Sequence, residues 1–342
     1  MSLTEMIAGL GPFPPPPLLS RWVLLPLALI LDGLVGEAPF RFIPHPVVLI
    51  GTTIAWLDRR LNRIDRSDTA RRLRGVLVLV VLVSLGMAAG WAIHRLARMT
   101  GWGWLVELAV AATLVAQRSL YQHVAAVAEA LGGPGDDGSK LEAGRDAVSR
   151  IVGRDPASLD AHGVARAAIE SLAENFGDGV VGPVFWYLVA GLPGLIAYKT
   201  VNTLDSMIGH LSPRHRAFGW ASARFDDLVN LVPARLAGLL LALASALLPR
   251  GKPAKAIATM LTDARKHRSP NAGWPEAAMA GALDLALAGP RRYGPRVVDD
   301  PWIGTGRARA TPGDIRRALA VFVTACLIEL CLVAAAGLIV AP

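Results

Sequence analysis

Apolar residues run along this chain in long blocks, separated by connections rich in arginine. A helix that crosses a bilayer needs about 20 mainly apolar residues, and the stretches 22–35, 75–93 and 318–340 approach that requirement. The stretch 104–116 is shorter and carries Glu107, which we read as an interfacial or helix-packing acid rather than half of a functional pair. Two further runs, 180–198 and 236–249, do not read as simple spans. The first is punctuated by Gly182, Pro183, Gly191, Pro193 and Gly194, and the second has only fourteen residues. Proline removes a backbone donor and glycine allows sharp bends, so these runs predict broken or re-entrant helices that pair with one another.

Between the apolar blocks, the polar stretch Arg118 to Gly179 predicts two helices separated by the turn-forming run GGPGDDG at Gly132 to Gly138, with helical spacing again at Arg145 to Val152 and Ala161 to Leu172. Neither a repeat of 20 to 50 residues nor a βαβ pattern is present. The fold expected is therefore all-α: a polytopic helical membrane protein with broken or re-entrant helices and cytoplasmic helical loops. Residues 1–20, with five prolines between Pro12 and Pro17, lack the basic start and small-residue cleavage site of a signal peptide and read as a short leader. Residues 21–342 read as one integral membrane domain.

Composition agrees. Of 342 residues, 53% are hydrophobic, and the mean hydropathy is +0.43, above what a soluble core of this size needs. A net charge of +8 would suit nucleic acid, but the basic residues flank apolar runs as they do in cytoplasmic membrane loops, so we exclude nucleic acid as a partner and expect the lipid bilayer instead. The connection from Glu37 to Arg74 is rich in arginine and is expected in the cytoplasm, with the N-terminus outside. The two cysteines, Cys326 and Cys331, both lie in the last apolar run and predict neither a disulfide framework nor a thiolate metal site.

Ionisable groups are costly near a bilayer, yet four stretches concentrate them. Glu170 and Glu174 are four residues apart and share one helix face, followed by Asn175 and Asp178. Lys199, Asn202, Asp205 and His210 follow the first broken run; Asn202 and Asp205 carry the hard oxygen donors that Mg²⁺ prefers, and Lys199 can face phosphate as a point charge. Arg224, Asp226, Asp227, Asn230 and Arg235 form the third stretch. Adjacent carboxylates favour a cation between them, and arginine forks suit phosphate. The fourth, His267, Ser269, Asn271 and Glu276, lies in a loop stiffened by Pro270 and Pro275. Each stretch also has a plain structural reading as solvated acids, caps or ion pairs. Together they describe a Mg²⁺ and polyphosphate site, and without a GxxxxGK[ST] loop its nucleotide mode is not that of a P-loop.

IESLAENFGDGVVGPVFW (Ile169 to Trp186), YKTVNTLDSMIGH (Tyr198 to His210), FGWASARFDDLVNLVPARL (Phe218 to Leu236) and HRSPNAGWPEAAMAGAL (His267 to Leu283) resemble the signatures of the CobD/CbiB family, as do LDGLVGEAP and HPVVLIG nearer the N-terminus. GEAP at Gly36 to Pro39 departs from the family's usual aspartate before proline. The resemblance implies an integral membrane adenosylcobinamide-phosphate synthase of cobalamin biosynthesis. Such an enzyme joins aminopropanol, or its phosphate, to the propionate carboxylate of adenosylcobyric acid.

A carboxylate is a poor electrophile, so amide formation would draw on ATP and Mg²⁺. On chemical grounds we expect Asp205, Asp226 and Asp227 to hold metal, and Glu170, Glu174, Lys199 and His210 to take catalytic roles. Asn175, Asn202, Arg224, Asn230, Arg235, His267, Ser269, Asn271 and Glu276 would bind substrate or phosphate. The expected location is the cell (inner) membrane, multi-pass, with the site facing the cytoplasm and open to contact with other enzymes of the pathway. The alternatives are a Mg²⁺-dependent membrane prenyl or phosphoalcohol transferase, a corrinoid or cation transporter, and a membrane sensor. The single Asp205 and the adjacent Asp226–Asp227 pair do not match the DxxxD spacing of the first, and no inverted repeat supports the second.

Overall fold

The structure, a computed structural model, describes residues 20–36, 45–153, 156–293 and 296–340. The expected leader up to residue 19 and the acid Glu37 lie outside them. The protein is a polytopic helical membrane protein, with almost no strand among the described residues. Among the described residues, three helical stretches are long and apolar enough to cross a membrane, Asp68–Ala97, Ala161–Ile208 and Pro312–Val340, and a bent pair, Trp220–Val229 with Leu231–Ala246, can make a fourth.

The chain enters on α1 (Arg21–Val35), fifteen residues long, and resumes on α2 (Pro46–Leu61). His45 caps α2 by accepting the Val47 N–H on Nδ1 at 3.2 Å, with Pro46 preset for the first helical position. The longest single helix, α3 (Asp68–Ala97), starts where Ser67 accepts the Ala70 N–H and Asp68 faces the positive helix end. The run expected as a span at 104–116 is helical only over α4 (Trp104–Thr113), about half a bilayer long. The chain then continues as α5 (Gln117–Gly132), after a break closed by the Ala116 N–H donating to the Gly179 carbonyl at 3.0 Å. Glu107 is a packing acid, as expected: it is buried between His94 and Tyr187.

The turn run Gly132 to Gly138 ends α5, and Asp136 caps α6 (Asp137–Ser149) through the N–H groups of Gly138 and Ser139. Then α7 (Ala161–Phe176), a wide π turn at Gly177–Val181, and α8 (Gly182–Ile208) follow without interruption. This stretch is not straight. In a straight helix Gly182 and Tyr198 would stand about 24 Å apart, yet a β-carbon added to Gly182 would lie 2.2 Å from the Tyr198 hydroxyl. The chain therefore folds back at Gly191, whose φ of 64° and ψ of −155° suit glycine, just before Pro193. The re-entrant turn lies inside the 180–198 run. The 180–198 run thus folds back within itself, and its first residues complete a π turn that packs against the helix carrying the 236–249 run. The second run continues α9 (Trp220–Val229) into α10 (Leu231–Ala246) through a 49° bend at Asn230.

Helices α11 (Pro253–Asp263) and α12 (Gly273–Leu283) pack on α10. Four short strands, β1 (Leu287–Ala288), β2 (Arg291–Tyr293), β3 (Arg296–Val298) and β4 (Trp302–Ile303), pair antiparallel as β1 with β4 and β2 with β3, before the last span α13 (Pro312–Val340). One continuous apolar core runs from Leu25 through Phe176 and Tyr187 to Phe322, and a second joins Ile54, Val78, Val201 and Phe218 along the second arm of the hairpin that folds back at Gly191. Cys326 is buried, Cys331 exposed, and both are free.

Candidate active site

The three motif stretches ending at Asp178, Asp205 and Asn230 converge where the two arms of the hairpin meet the α9–α10 bend. The π turn places Asp178 one residue out of the regular helical sequence, a distortion that recurs at functional sites. Its carbonyl lies 3.0 Å from the Tyr198 hydroxyl on the other arm, and that hydroxyl is 2.8 Å from Asn230 Oδ1. Asn230 in turn donates Nδ2 to Asp226 Oδ2 at 3.0 Å. Tyr198 and Asn230 thus tie both hairpin arms to the acid pair.

Asp226 is the centre of the cluster. It is buried, and Asn202 and Asn230 both supply amides to its carboxylate. Its Oδ1 nevertheless has no hydrogen-bond partner among the described residues. The charges of Asp205 and Asp227 act on it directly, and Asp178 feels Asp226, Glu174, Lys199 and Asp205. A buried carboxylate surrounded by like charge is unfavourable without a counter-ion or a proton. A buried cation, Lys199 at 9% exposure, is acted on by Asp178 and Asp226. Lys199 makes no side-chain hydrogen bond among the described residues. It lines a cavity of about 580 Å³ together with Asp32, His45 and Ser119, at the point where α1 gives way to α2.

The fourth stretch joins through Asn271. Its side chain donates to the Asp227 carbonyl at 2.8 Å and accepts from Arg235 Nη1 at 3.1 Å, while the Arg235 guanidinium stacks 4.5 Å from the Trp274 ring. Ser269 Oγ accepts the N–H groups of Asn271 and Ala272, and His267 Nδ1 accepts the Ser269 N–H. His267 Nε2 stands 3.6 Å from Glu276 Oε1, which is buried. Arg224 is exposed and pairs with Asp227 at 3.3 Å. His210 is exposed and close enough to Asp205 to act on its charge.

Two expected residues lie apart from this centre. Glu170 is buried and accepts the Ala288 N–H on Oε1 at 2.9 Å, holding the first strand rather than facing Asp226. Asn175 donates back to the Ser171 carbonyl and hydroxyl. Glu174, on the same face as Glu170 but exposed, belongs to the cluster through Asp178. Three groups were missing from the expected set. Asp178 stood in the motif without a role, and Tyr198 opened the second motif. Asp32, the last member, receives the Gln117 N–H at 2.8 Å; its signals were an acid inside the first apolar block and its place in the LDGLVGEAP segment.

Among the described residues, no three acids or histidines already converge as a coordination shell. Yet a bare, buried carboxylate oxygen beside three further aspartates offers donors of the hard type, and Mg²⁺ commonly takes only one or two carboxylates, completing its shell with water and phosphate. The donor set fits.

A family model described as CobD/CbiB protein matches residues 25–322. Among curated relatives named cobalamin biosynthesis protein CobD, that of a Sinorhizobium species is 54% identical over 89% of this chain and 94% of its own length. The relative from Brucella suis biovar 1 is 50% identical over 93% and 98%, and that from Rhodobacter capsulatus 51% identical over 87% and 92%. No solved structure matches. With the family model covering residues 25–322 and relatives at half identity over nearly their whole length, the chain belongs to the CobD/CbiB family.

Proposed function

We propose that this protein works in cobalamin biosynthesis as an amide-forming ligase, joining aminopropanol or its phosphate to the propionate carboxylate of adenosylcobyric acid with ATP. The observation that carries the reading is Asp226: a buried acid with one unpartnered oxygen, among like charges, next to the buried cation Lys199. A protein keeps such a group where a cationic and phosphate-bearing ligand completes it. Asp205 and Asp226 would hold Mg²⁺, with Asp227 at the edge under Arg224. Bound there, the ion would neutralise the phosphates of ATP and the charge that develops on them.

In this reading the propionate carboxylate adds to the γ-phosphorus of ATP and ADP leaves. The amine then adds to the acyl carbon, and phosphate leaves. Lys199 offsets phosphate charge from within the membrane, and exposed Glu174, beside Asp178, accepts the proton that the amine loses. The 580 Å³ cavity at Lys199, His45 and Ser119 suits a small amine or its phosphate rather than a macrocycle. The loop from His267 to Glu276, held by Asn271 against Asp227 and Arg235, offers the corrinoid a firm polar rim. Arg72 over Trp220, Arg74 on the Leu61 carbonyl, Arg214 on Asp58 and Arg216 on Asp68, with Arg59 and Arg60 beside Asp58, gather arginine at the end of α8 that bears Asp205, which supports a multi-pass protein of the cell membrane with its site on the cytoplasmic, ATP-bearing side.

The test is product mass. Purified protein given adenosylcobyric acid, ATP, Mg²⁺ and either amine should convert the acid to the amide with release of ADP. No ATP-dependent mass gain with either amine would overturn the reading.

A further inference from the structure

A second cavity, of about 640 Å³, lies at the end of the molecule away from the aspartate cluster. The tip of the hairpin at Gly191, the start of α1 at Arg21, the last turns of α3 at His94, Arg95 and Arg98, and Glu107 of α4 enclose it. That these parts share one end follows from packing. Pro193 at the tip touches Gly90, while the opposite end of the same helix, at Gly75, touches Phe218 beyond the acid-bearing arm.

The charge in this cavity is unbalanced. Its single acid, Glu107, is already spent, with Oε2 2.9 Å from His94 Nδ1 and Oε1 accepting from the Tyr187 hydroxyl at 3.1 Å. Arg21 donates Nη1 to the carbonyls of Leu188 and Val189 at 2.9 and 3.3 Å, neutral acceptors that leave its charge in place. Arg95 and Arg98 are exposed and have no carboxylate partner among the described residues. Arg95 lies 5.7 Å from the Trp91 ring, and Arg21 lies 5.9 Å from that of Trp22. Three guanidiniums therefore face one cavity.

The location makes this informative. Membrane proteins concentrate lysine and arginine on one side, and here that side is the one with Arg59, Arg60, Arg72, Arg74, Arg214 and Arg216. A cationic cavity at the other end runs against that distribution. It sits where the apolar length of α3 finishes, flanked by Trp22 and Trp91, whose amphipathic rings favour the headgroup layer. Guanidinium forks match phosphate oxygens in pairs. An anion that bears phosphate and is present at that depth is a phospholipid headgroup.

We propose that this cavity binds the phosphate of an anionic phospholipid in the leaflet opposite the acid cluster. The site stands independently of the amide chemistry. Purified full-length protein in neutral detergent should gain thermal stability when phosphatidylglycerol is added, and none with phosphatidylcholine at the same mole fraction. Native mass spectrometry should show retained phosphatidylglycerol, and Arg95→Gln together with Arg98→Gln should weaken that retention roughly tenfold or more. Those two side chains make no hydrogen bond among the described residues, so the variant keeps the fold. Arg59→Gln with Arg60→Gln, at the other end, should retain the lipid as the parent does. Equal stabilisation by phosphatidylcholine would overturn the proposal, as would retention unchanged in the Arg95 and Arg98 variant. Inorganic phosphate at millimolar concentration reproducing the shift would assign the cavity to a soluble anion and overturn the lipid. The comparison of the two lipids on the parent protein needs no variant at all.

Discussion

Two buried acids meet the same hairpin and are treated in opposite ways. Glu107 packs near its tip with both oxygens engaged, one by His94 and one by Tyr187. Asp226 packs against its arms with one oxygen engaged by Asn230 and the other bare, in range of Asp205, Asp227 and Asp178. Both sit in a stretch where an unpaired charge costs several kcal/mol. A carboxylate satisfied by the protein's own donors needs nothing further and serves packing. One left bare among like charges needs a ligand, and the fold has set three amides and hydroxyls, from Asn202, Asn230 and Tyr198, to hold it in place while it waits.

The sharpest way to break this contrast is to remove the charge of Asp226 and keep its shape. Asp226→Asn relieves like-charge repulsion, so the thermal midpoint should hold or rise, while turnover to the amide falls by about 100-fold or more. A midpoint lowered by several degrees with near-normal product formation would make Asp226 a packing acid like Glu107. The matching change at the tip should show the opposite pattern. Glu107→Leu leaves the Tyr187 hydroxyl and the His94 ring without their acceptor, at about 2 kcal/mol of stability, read by denaturant unfolding in detergent, and the folded fraction should turn over at the parent rate. Glu107→Gln keeps an acceptor for Tyr187 and should lose less. A large loss of turnover per folded molecule in either variant would place Glu107 in the chemistry.

The contrast was only half legible in the sequence. That 180–198 would not run straight could be read from Gly191 and Pro193, because a positive φ and a missing donor are local properties. That the same run closes on itself, bringing Tyr198 against Gly182, depends on packing between distant turns and left no local mark. The charged stretches announced themselves as costly groups among apolar ones. Their destinations did not: Glu170 and Glu174 share a face by spacing, yet the first ends on the Ala288 N–H and the second beside Asp178, because the strand that claims Glu170 comes 118 residues later. Asp178 was visible but unassigned, since no periodicity announces the π turn that places it. The cavity that Lys199 lines with Asp32, His45 and Ser119 was hidden because its walls come from segments far apart in the chain.

A smaller effect tests how rigidly the bare acid is held. Tyr198→Phe removes the one hydroxyl that reaches both the Asp178 carbonyl and Asn230. Asn230 keeps its bond to Asp226 but loses the contact that fixes its own orientation. We expect stability to fall by about 1 kcal/mol and turnover by roughly tenfold, with the Mg²⁺ concentration for half-maximal rate shifted upward. Unchanged turnover and an unchanged Mg²⁺ requirement would mean that Asp226 is positioned by Asn202 and the helix alone.

The smallest effect belongs to an acid of a third kind, paired and in water. Asp284 lies outside the spans in left-handed backbone at φ 58°, where its carboxylate takes Lys252 at 2.6 Å and Lys255 beside it. Those hydrogen bonds hold its pKa down at about 2, against an ordinary 3.8. Because the folded value is the lower one, the pair adds stability above pH near 4 and loses it as pH falls towards 2. The side chain is 38% exposed, so solvent screening leaves at most about 1 kcal/mol. Asp284→Asn keeps a residue that tolerates left-handed backbone, so the charge alone is removed. The variant should lose a fraction of a kcal/mol at pH 7, less in high salt, and converge on the parent as pH falls below about 2, with turnover at neutral pH unaffected. A loss as large as that of Glu107→Leu would show that pairing with protein cations outside the membrane stabilises as strongly as burial between His94 and Tyr187. The distinction between satisfied and bare acids would then have to be drawn by partner charge rather than by depth.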